Sequence, residues 1–322
     1  MVPINEASNK SNAHPRTRLE LKTILDLISN PGINISTLQE LISLGPTRRI
    51  CIEDKTITVK LLESGSTYHW NLSDPRTAVA CLVAIGEYEP IETKILQILT
   101  RDSRSVLDVG ANVGYYTVEL SRHLAPHGTL LSFEPVENSY LQLEKNIEVN
   151  EIRNLVQTFQ LGLSDSDKEI DIFLPQVSGS SAASLKNLHP EEDYKTERIK
   201  ITTLDQVYGT LEIEHCDLVK IDVEGGELQV IQGGMETITK FKPIIFAELL
   251  RKWSAAFSYS PNHVLAILQN LGYRCWGVSE VLREIRMFDE SDLETNFLFV
   301  HERESKEVLE KLISKGVQIR QD

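Results

Sequence analysis

Acidic side chains stand where three predicted strands end, and their types and spacing could do chemistry. Glu134 follows the run Thr-Leu-Leu-Ser-Phe, while Asp222 and Glu248 end two later apolar runs. Parallel strands present their carboxyl ends at one edge of a sheet, so we expect these carboxylates on a common rim. Asp222, Glu248 and the nearby Glu224 are candidates for a general base, for positioning an acceptor or for holding a divalent cation.

A glycine turn precedes this rim. Ser105 to Val109 is apolar and β-branched, Gly110 and Gly114 interrupt the pattern, and a helix is predicted from Tyr115 onward. Glycines let the backbone approach a ligand closely, and the start of a helix offers unpaired N–H groups. The order of strand, turn and helix therefore predicts a site for a nucleotide-like cofactor.

Details of the turn narrow the choice of cofactor. A dinucleotide fingerprint needs glycine where Asn112 stands, and a P-loop needs a Lys-Ser/Thr pair that does not follow these glycines. A nucleoside without a pyrophosphate fits better. Glu134, 24 positions after Gly110, could accept hydrogen bonds from two ribose hydroxyls. An NAD-dependent oxidoreductase and a non-catalytic binding module stay open as alternatives, although the first lacks its middle glycine and the second needs no acidic rim.

Four segments, in this order and spacing, resemble a known family. They are V-L-D-V-G-A-N-V-G-Y-Y-T (106–117), F-E-P (133–135), K-I-D-V-E-G-G-E (220–227) and P-I-I-F-A-E (243–248). Over roughly residues 87–300 the chain resembles the FkbM family of S-adenosylmethionine-dependent methyltransferases. The glycine turn alone would indicate only a class I methyltransferase, so the D-V-E-G-x-E element is the more specific sign.

The resemblance implies an α/β, Rossmann-like class I methyltransferase fold with a seven-stranded, mostly parallel sheet and a terminal antiparallel hairpin. It implies an S-adenosylmethionine-dependent O-methyltransferase that acts on a hydroxyl of a sugar, polyketide or other small molecule, with N-methyl transfer as an alternative. The residues expected to bind the cofactor are Tyr88, Glu89, Asp108, Gly110, Ala111, Asn112, Gly114, Glu134, Pro135, Asn138, Gly162, Leu163 and Asp222.

Some of these residues also have plainer interpretations. Tyr88 and Glu89, which the resemblance places over the cofactor, could form a surface turn. Glu224 and Glu227 could act only on the dipole of the helix that follows them. These alternatives stay open at the level of sequence.

A long stretch rich in serine, glycine and charge runs from Pro175 to Thr196, between extra strands predicted at 170–174 and 198–201. A loop of this length in a compact domain is typically a lid, a binding loop or a disordered segment. We expect it to fold over the acidic rim as a mobile lid. His189 within it is a candidate base, although a lone loop histidine is more often solvated.

Length, composition and net charge limit the number of domains and the classes of binding partner that we expect. The 322 residues, 41% hydrophobic and 25% charged, suit one α/β core with an appended segment, which we divide into an accessory segment at 1–86 and a methyltransferase domain at 87–322. A formal net charge of −14 disfavours nucleic acid or an anionic membrane as the main partner and leaves a small-molecule acceptor. The chain shows no apolar leader and no run long enough to span a bilayer, so a cytoplasmic location is expected.

The accessory segment is predicted to begin with about 16 polar, disordered residues, followed by helices near 21–28 and 36–45. A β-hairpin over Arg49 to Leu62 and a helix between Asp74 and Gly86 complete it. The segment could cover the acceptor site, form a homodimer surface or serve the fold alone. The four scattered cysteines lack zinc-site spacing and predict reduced core thiols.

Overall fold

The computed structural model describes residues 48–53, 56–71, 77–84, 86–176, 179–289 and 292–320. The polar N-terminus, the two helices predicted before residue 46 and the helix start predicted at Asp74 lie outside the described residues. The homodimer expected through the N-terminal segment therefore stays a prediction. The division into two domains at residue 86 also stays a prediction.

The described residues form strands and helices that alternate through most of the chain. The strands are β1 (Arg48–Glu53), β2 (Thr56–Leu61), β3 (Thr67–His69), β4 (Ser105–Val109), β5 (Thr129–Phe133), β6 (Val156–Phe159), β7 (Gly162–Leu163), β8 (Lys168–Pro175), β9 (Tyr194–Thr202), β10 (Leu218–Ile221), β11 (Ile244–Glu248), β12 (Tyr273–Gly277), β13 (Val281–Ile285), β14 (Asn296–His301) and β15 (Gln318–Arg320). The helices are α1 (Ala78–Ala84), α2 (Pro90–Thr100), α3 (Tyr115–Ser121), α4 (Glu137–Val149), α5 (Leu204–Leu211), α6 (Glu227–Gln232), α7 (Met235–Phe241), α8 (Arg251–Ala256), α9 (Pro261–Asn270) and α10 (Glu302–Ser314).

The central sheet positions the site. Within the described ranges it has nine strands in the order β15-β13-β12-β14-β11-β10-β4-β5-β6. Strands β6, β5, β4, β10 and β11 are parallel, while β14 lies antiparallel between β11 and β12. This is the class I methyltransferase fold, and the expected antiparallel pair at one end is confirmed. The short strands β13 and β15 extend the seven expected strands by two.

Both faces of this sheet are covered by apolar clusters. Val106 and Leu218 belong to one cluster, and their neighbours Leu107 and Val219 belong to the other. Successive side chains of a strand point to opposite faces, so both faces of the sheet are covered and the central strands are mainly apolar. The carboxyl ends of these strands are left as the edge at which a ligand can bind.

The predicted N-terminal hairpin is confirmed, with β1 antiparallel to β2. Strand β3 joins it in a three-stranded sheet and contacts the helix that follows β5. The amide of Asn146 on α4 accepts from the backbone N–H of His69 in β3 (2.7 Å) and donates to the Val113 carbonyl (2.7 Å). The buried Tyr68 hydroxyl donates to Glu119 on α3 (2.7 Å). The small sheet of β1, β2 and β3 is therefore held, through β3, against the two helices that flank the glycine turn and Glu134.

Other regions also differ from the sequence predictions. The helix predicted from Glu227 to Ile238 is two helices, with a break at Gly233. The Ser164 backbone packs closely here, since a Cβ at position 233 would lie 2.0 Å from the Ser164 carbonyl oxygen, and only glycine permits this approach. The predicted lid is shorter, since β8 continues through Pro175 and β9 begins at Tyr194. Strands β7, β9 and β8 form a second sheet beside the first.

Two further predictions concern thiols and membranes. Cys216 and Cys275 are buried, as predicted for core thiols, whereas Cys51 and Cys81 are half-buried. No helix among the described residues combines the length and the apolar character needed to cross a bilayer.

Candidate functional site

A cavity of about 450 Å³ lies at the carboxyl ends of β4, β5, β10 and β11. This volume falls within the range of small-molecule sites. The structure brings most of the predicted site residues to its wall, namely Tyr88, Glu89, Gly110, Ala111, Asn112, Glu134, Pro135, Gly162, Leu163, His189, Asp222, Glu224 and Glu248. Asp108, Gly114 and Asn138 do not line it, and Asn138 is exposed on α4.

The glycine turn is shaped by protein neighbours. Gly110 has a φ of +80°, and a Cβ there would lie 1.8 Å from the carbonyl oxygen of Asp222. Gly114 has a φ of +86°, and a Cβ there would meet Leu143 at 2.4 Å. We expected these glycines to let the backbone approach a ligand. The structure adds a second reason, because the positive φ angles and the contacts with other parts of the protein already require glycine at both positions. Asn112, with a φ of +49°, is among the few side chains that tolerate this left-handed conformation.

Glu134 fixes the other side of the turn. Its two carboxylate oxygens accept the backbone N–H groups of Asn112 and Val136, each at 2.8 Å. The residue is only 5% exposed, and burial raises its pKa to about 7 although both hydrogen bonds favour the charged form. Each carboxylate oxygen has a second lone pair, so ribose hydroxyls could still donate to it from the cavity. The ribose contact stays a prediction that the geometry fits.

The segment before α2 is part of the cavity wall, so the surface-turn interpretation is wrong. Glu89 has a φ of +43°, and its carboxylate accepts from the Tyr116 hydroxyl at 2.5 Å. The Tyr115 hydroxyl donates to the Tyr88 carbonyl (3.1 Å), and the Tyr88 ring packs edge-on against that of Tyr115. Burial raises the pKa of Glu89, and the charge of Asp222 adds to the effect.

The acidic rim is confirmed as a cluster. Asp222, Glu224 and Glu248 each place one carboxylate oxygen so that the three oxygens lie within 4.8 Å of one another. Burial raises the pKa of Glu224 and Glu248 well above the usual range, and the neighbouring Asp222 raises both further. Carboxylate oxygens are ligands that Mg²⁺ or Ca²⁺ accepts, so a cation fits this chemistry as well as a base does. The individual roles stay predictions.

The described part of the predicted lid, residues 179–193, lies over this rim. Ser184, 1% exposed, donates its hydroxyl to the Glu224 carbonyl (2.7 Å). The imidazole of His189 packs edge-on against Trp253, with ring centroids 5.1 Å apart, and its Nδ1 lies 3.5 Å from Glu191. His189 therefore lies in the cavity wall and is not a freely solvated loop residue.

Lys220 belongs to the site and was missed from the sequence. It stands in β10, is 5% exposed, and its Nζ lies 3.1 Å from Asp222 and 3.7 Å from Asp108. Burial opposes its charge, but the carboxylates of Asp222, Asp108 and Glu89 raise its pKa above the usual value. The available signal was a lysine inside an otherwise apolar strand.

Comparison with known proteins identifies the family. The family model of the methyltransferase FkbM domain matches residues 108–275, just over half of the chain. The chain belongs to the FkbM methyltransferase family. The resemblance seen in the sequence is thereby confirmed, and the FkbM match begins at the strand that carries the glycine turn and includes the acidic cluster.

Individual relatives of this FkbM chain are distant. Methyltransferase 1 of Beauveria bassiana is 28% identical over 149 residues, covering 41% of this chain and 59% of the relative. The 2-O-methyltransferase NoeI of Sinorhizobium fredii is 27% identical over 166 residues, covering 47% and 65%. The chain thus spans about three fifths of the length of these curated relatives. A solved FkbM methyltransferase from Methylobacillus flagellatus shares 15% identity at a TM-score of 0.41, covering 70% of this chain and 53% of that one.

Proposed function

We propose that this FkbM chain is an S-adenosylmethionine-dependent O-methyltransferase that acts on a hydroxyl of a small molecule, such as a sugar or a polyketide. One observation carries the proposal: a single cavity wall holds both Glu134 with the glycine turn and the cluster of Asp222, Glu224 and Glu248. The first set suits the nucleoside of the cofactor, and the second suits the acceptor.

Binding and orientation account for most of the catalysis that we propose. S-adenosylmethionine, when bound, supplies an activated methyl group. Glu134 would hold the ribose, and the segment of Tyr88 and Glu89 would close over the nucleoside. Ser184 and Trp253 would help exclude water above the rim, so that the acceptor is held in line for transfer.

The acceptor hydroxyl must lose a proton, which requires a base near the methyl group. Burial and the neighbouring charge of Asp222 raise the pKa of Glu224 and Glu248, and a carboxylate with a higher pKa is a stronger base when it is ionised. Asp222 is engaged by Lys220. We therefore assign proton removal to Glu248 or Glu224 and acceptor positioning to Asp222.

The choice of oxygen as acceptor rests on a named relative. The relative NoeI is by name a 2-O-methyltransferase, which favours a hydroxyl acceptor. The acidic cavity would also suit a cationic amine, so N-methyl transfer is retained as an alternative. An NAD-dependent oxidoreductase is disfavoured because Asn112 replaces the glycine that a pyrophosphate needs.

The proposal is tested in two stages. A thermal-shift comparison of S-adenosylmethionine, S-adenosylhomocysteine and NAD is expected to show stabilisation by the first two only. The protein is then incubated with methyl-labelled S-adenosylmethionine and matched pairs of hydroxyl and amine compounds, such as glucose with glucosamine and catechol with 2-aminophenol. Label transfer to oxygen, located by mass spectrometry, supports the proposal. Transfer to nitrogen alone, or stabilisation by NAD alone, overturns it.

A further inference from the structure

A buried lysine in the middle of a parallel sheet requires an explanation. Lys220 is flanked in β10 by Val219 and Ile221, both buried, and it pairs in register with Asp108 of β4 and Phe246 of β11. Removing an ammonium group from water is costly unless it is paired and hydrogen-bonded. Its partners therefore indicate why the position is charged.

Those partners come from the acidic rim, from β4 and from the helix that follows the glycine turn. The shorter contact is with Asp222, whose Oδ2 accepts from Nζ at 3.1 Å; the Oδ1 of Asp108 is 3.7 Å away. Nζ also lies 4.9 Å from the ring centroid of Tyr116 on α3, within the range of a cation–π contact. Thr117, on the same helix, donates to the other oxygen of Asp108 at 2.7 Å. Lys220 thus joins the helix after the glycine turn to the carboxylate at the rim.

Neutralising Asp108 alone does not account for this geometry. Asp108 is fully buried and does not line the cavity, whereas Lys220 and Asp222 both do. The Asp222 side chain is 26% exposed, and the contact with Lys220 engages only its Oδ2. A carboxylate held by one oxygen presents the other in a fixed direction, and such fixed geometry is what an in-line transfer needs.

We propose that Lys220 is a positioning residue for methyl transfer, because its ammonium group holds Asp222 towards the acceptor and ties it to the helix that follows the cofactor turn. The proposal rests on the function proposed above. Lys220 itself exchanges no proton with the substrate. Its effect on turnover therefore passes through Asp222.

The experiment compares Lys220→Met and Lys220→Arg with the parent, using the panel compound that the parent methylates fastest. Lys220→Met is expected to lower kcat at least tenfold while S-adenosylhomocysteine affinity, measured by calorimetry, changes by less than about threefold. Lys220→Arg keeps the positive charge and is expected to recover most of the lost kcat. An unchanged kcat in Lys220→Met would show that the lysine serves the fold alone, and a tenfold loss of affinity would make it a cofactor residue; either result overturns the proposal.

A double-mutant cycle tests the route of the effect. In an Asp222→Asn background, Lys220→Met is expected to lower kcat by less than twofold, because the group through which it acts is already lost. Full additivity of the two losses would contradict the proposal.

Lys220→Met also leaves the buried Asp108 without its cation. The kcat of Asp108→Asn is therefore compared with that of Asp108→Asn/Lys220→Met, because neither protein has an unpaired negative charge at position 108. Stabilisation of the parent by NAD alone, or transfer to nitrogen alone, refutes the proposed function, whereas an active parent with an equally active Lys220→Met refutes only the role of Lys220.

Discussion

The carboxylate of Glu227 accepts the backbone N–H of Gly225 across 2.9 Å, and the same oxygen lies 3.3 Å from the backbone nitrogen of Val223. Its other oxygen accepts from the Tyr259 hydroxyl at 2.9 Å. Glu227 is only 2% exposed. The last residue of D-V-E-G-G-E therefore closes the turn that carries Glu224, and this local role goes beyond an interaction with the helix dipole.

Glu227→Ala is expected to destabilise the protein by about 2 to 4 kcal/mol, because two backbone N–H groups and a tyrosine hydroxyl lose a buried acceptor. Urea unfolding measures the change. Glu236→Ala is the matched control, since Glu236 is an exposed acidic residue in the first turn of α7. The control is expected to cost about 0.3 to 1 kcal/mol, as a dipole contact would. If both variants lost the same free energy of unfolding, Glu227 would act only through the helix dipole.

Gly110→Ala is expected to lower stability by about 3 kcal/mol or more, since it combines a positive φ with a contact of 1.8 Å to the backbone of Asp222. S-adenosylhomocysteine affinity is expected to fall with it, because the turn and the end of β10 must separate. Gly209→Ala is the control: Gly209 lies in α5, and a Cβ there meets nothing within 4 Å. That change is expected to stabilise by about 0.5 to 1 kcal/mol. A Gly110→Ala protein with parent stability would contradict the packing argument.

The strands in the middle of the sheet could be located from the sequence alone. Ser105–Val109 and Thr129–Phe133 are mainly apolar runs with a glycine next to one end, and such runs can be located without knowing their partners. The edge strand Gln318–Arg320 has three residues and little apolar character, so its pairing depends on a neighbour far along the chain. Periodicity carries no information on such a strand.

The site was predictable where residue type alone indicates chemistry. The carboxylates at strand ends, Glu134 and Glu248 among them, follow from the rule that parallel strands end together. The contact of Lys220 with Asp108 depends on the register between β10 and β4. The hydrogen bond from Ser184 to the Glu224 carbonyl depends on how the segment between β8 and β9 packs on the acidic rim. Those contacts join residues distant in sequence, and no local pattern encodes them.

The affinity for S-adenosylhomocysteine is expected to rise with pH through about 7. Burial raises the pKa of Glu134 to about 7, so the carboxylate that accepts the ribose hydroxyls forms only as the pH passes that value. Binding at pH 6 should be about tenfold weaker than at pH 8, since roughly a tenth of the group is ionised at pH 6. Calorimetry at the two pH values measures this.

Glu134→Gln supplies the control for this pH dependence, because its side chain does not titrate. Its affinity is expected to be lower than that of the parent at pH 8 and to change little between pH 6 and pH 8. Glu134→Ala is expected to cost about 2 to 4 kcal/mol of binding, since charge-assisted hydrogen bonds are lost. A parent affinity that is flat across this range, or one that Glu134→Ala leaves intact, would remove Glu134 from the cofactor site.

Glu248→Gln and Asp222→Asn are expected to lower kcat by about 10² if the rim supplies the base or positions the acceptor, while S-adenosylhomocysteine affinity stays within a few-fold. Glu280→Gln is the matched control, because Glu280 is exposed and lies outside the cavity wall. Each variant is assayed with magnesium and with a chelator. Loss of parent activity in the chelator alone would favour a cation at the rim over a free carboxylate base.

The same assay decides between the rim and His189. If Glu248→Gln and Asp222→Asn turn over at the parent rate under both conditions, the acidic cluster is structural, and the base must come from the segment that covers it. His189 lies in that wall against Trp253, with Glu191 beside its Nδ1, so the imidazole already has a partner that could orient it. His189→Gln would then lower kcat by about 10². If the carboxylates are the base, His189→Gln raises the acceptor KM and leaves kcat within a few-fold, because only the cover over the acceptor is disturbed.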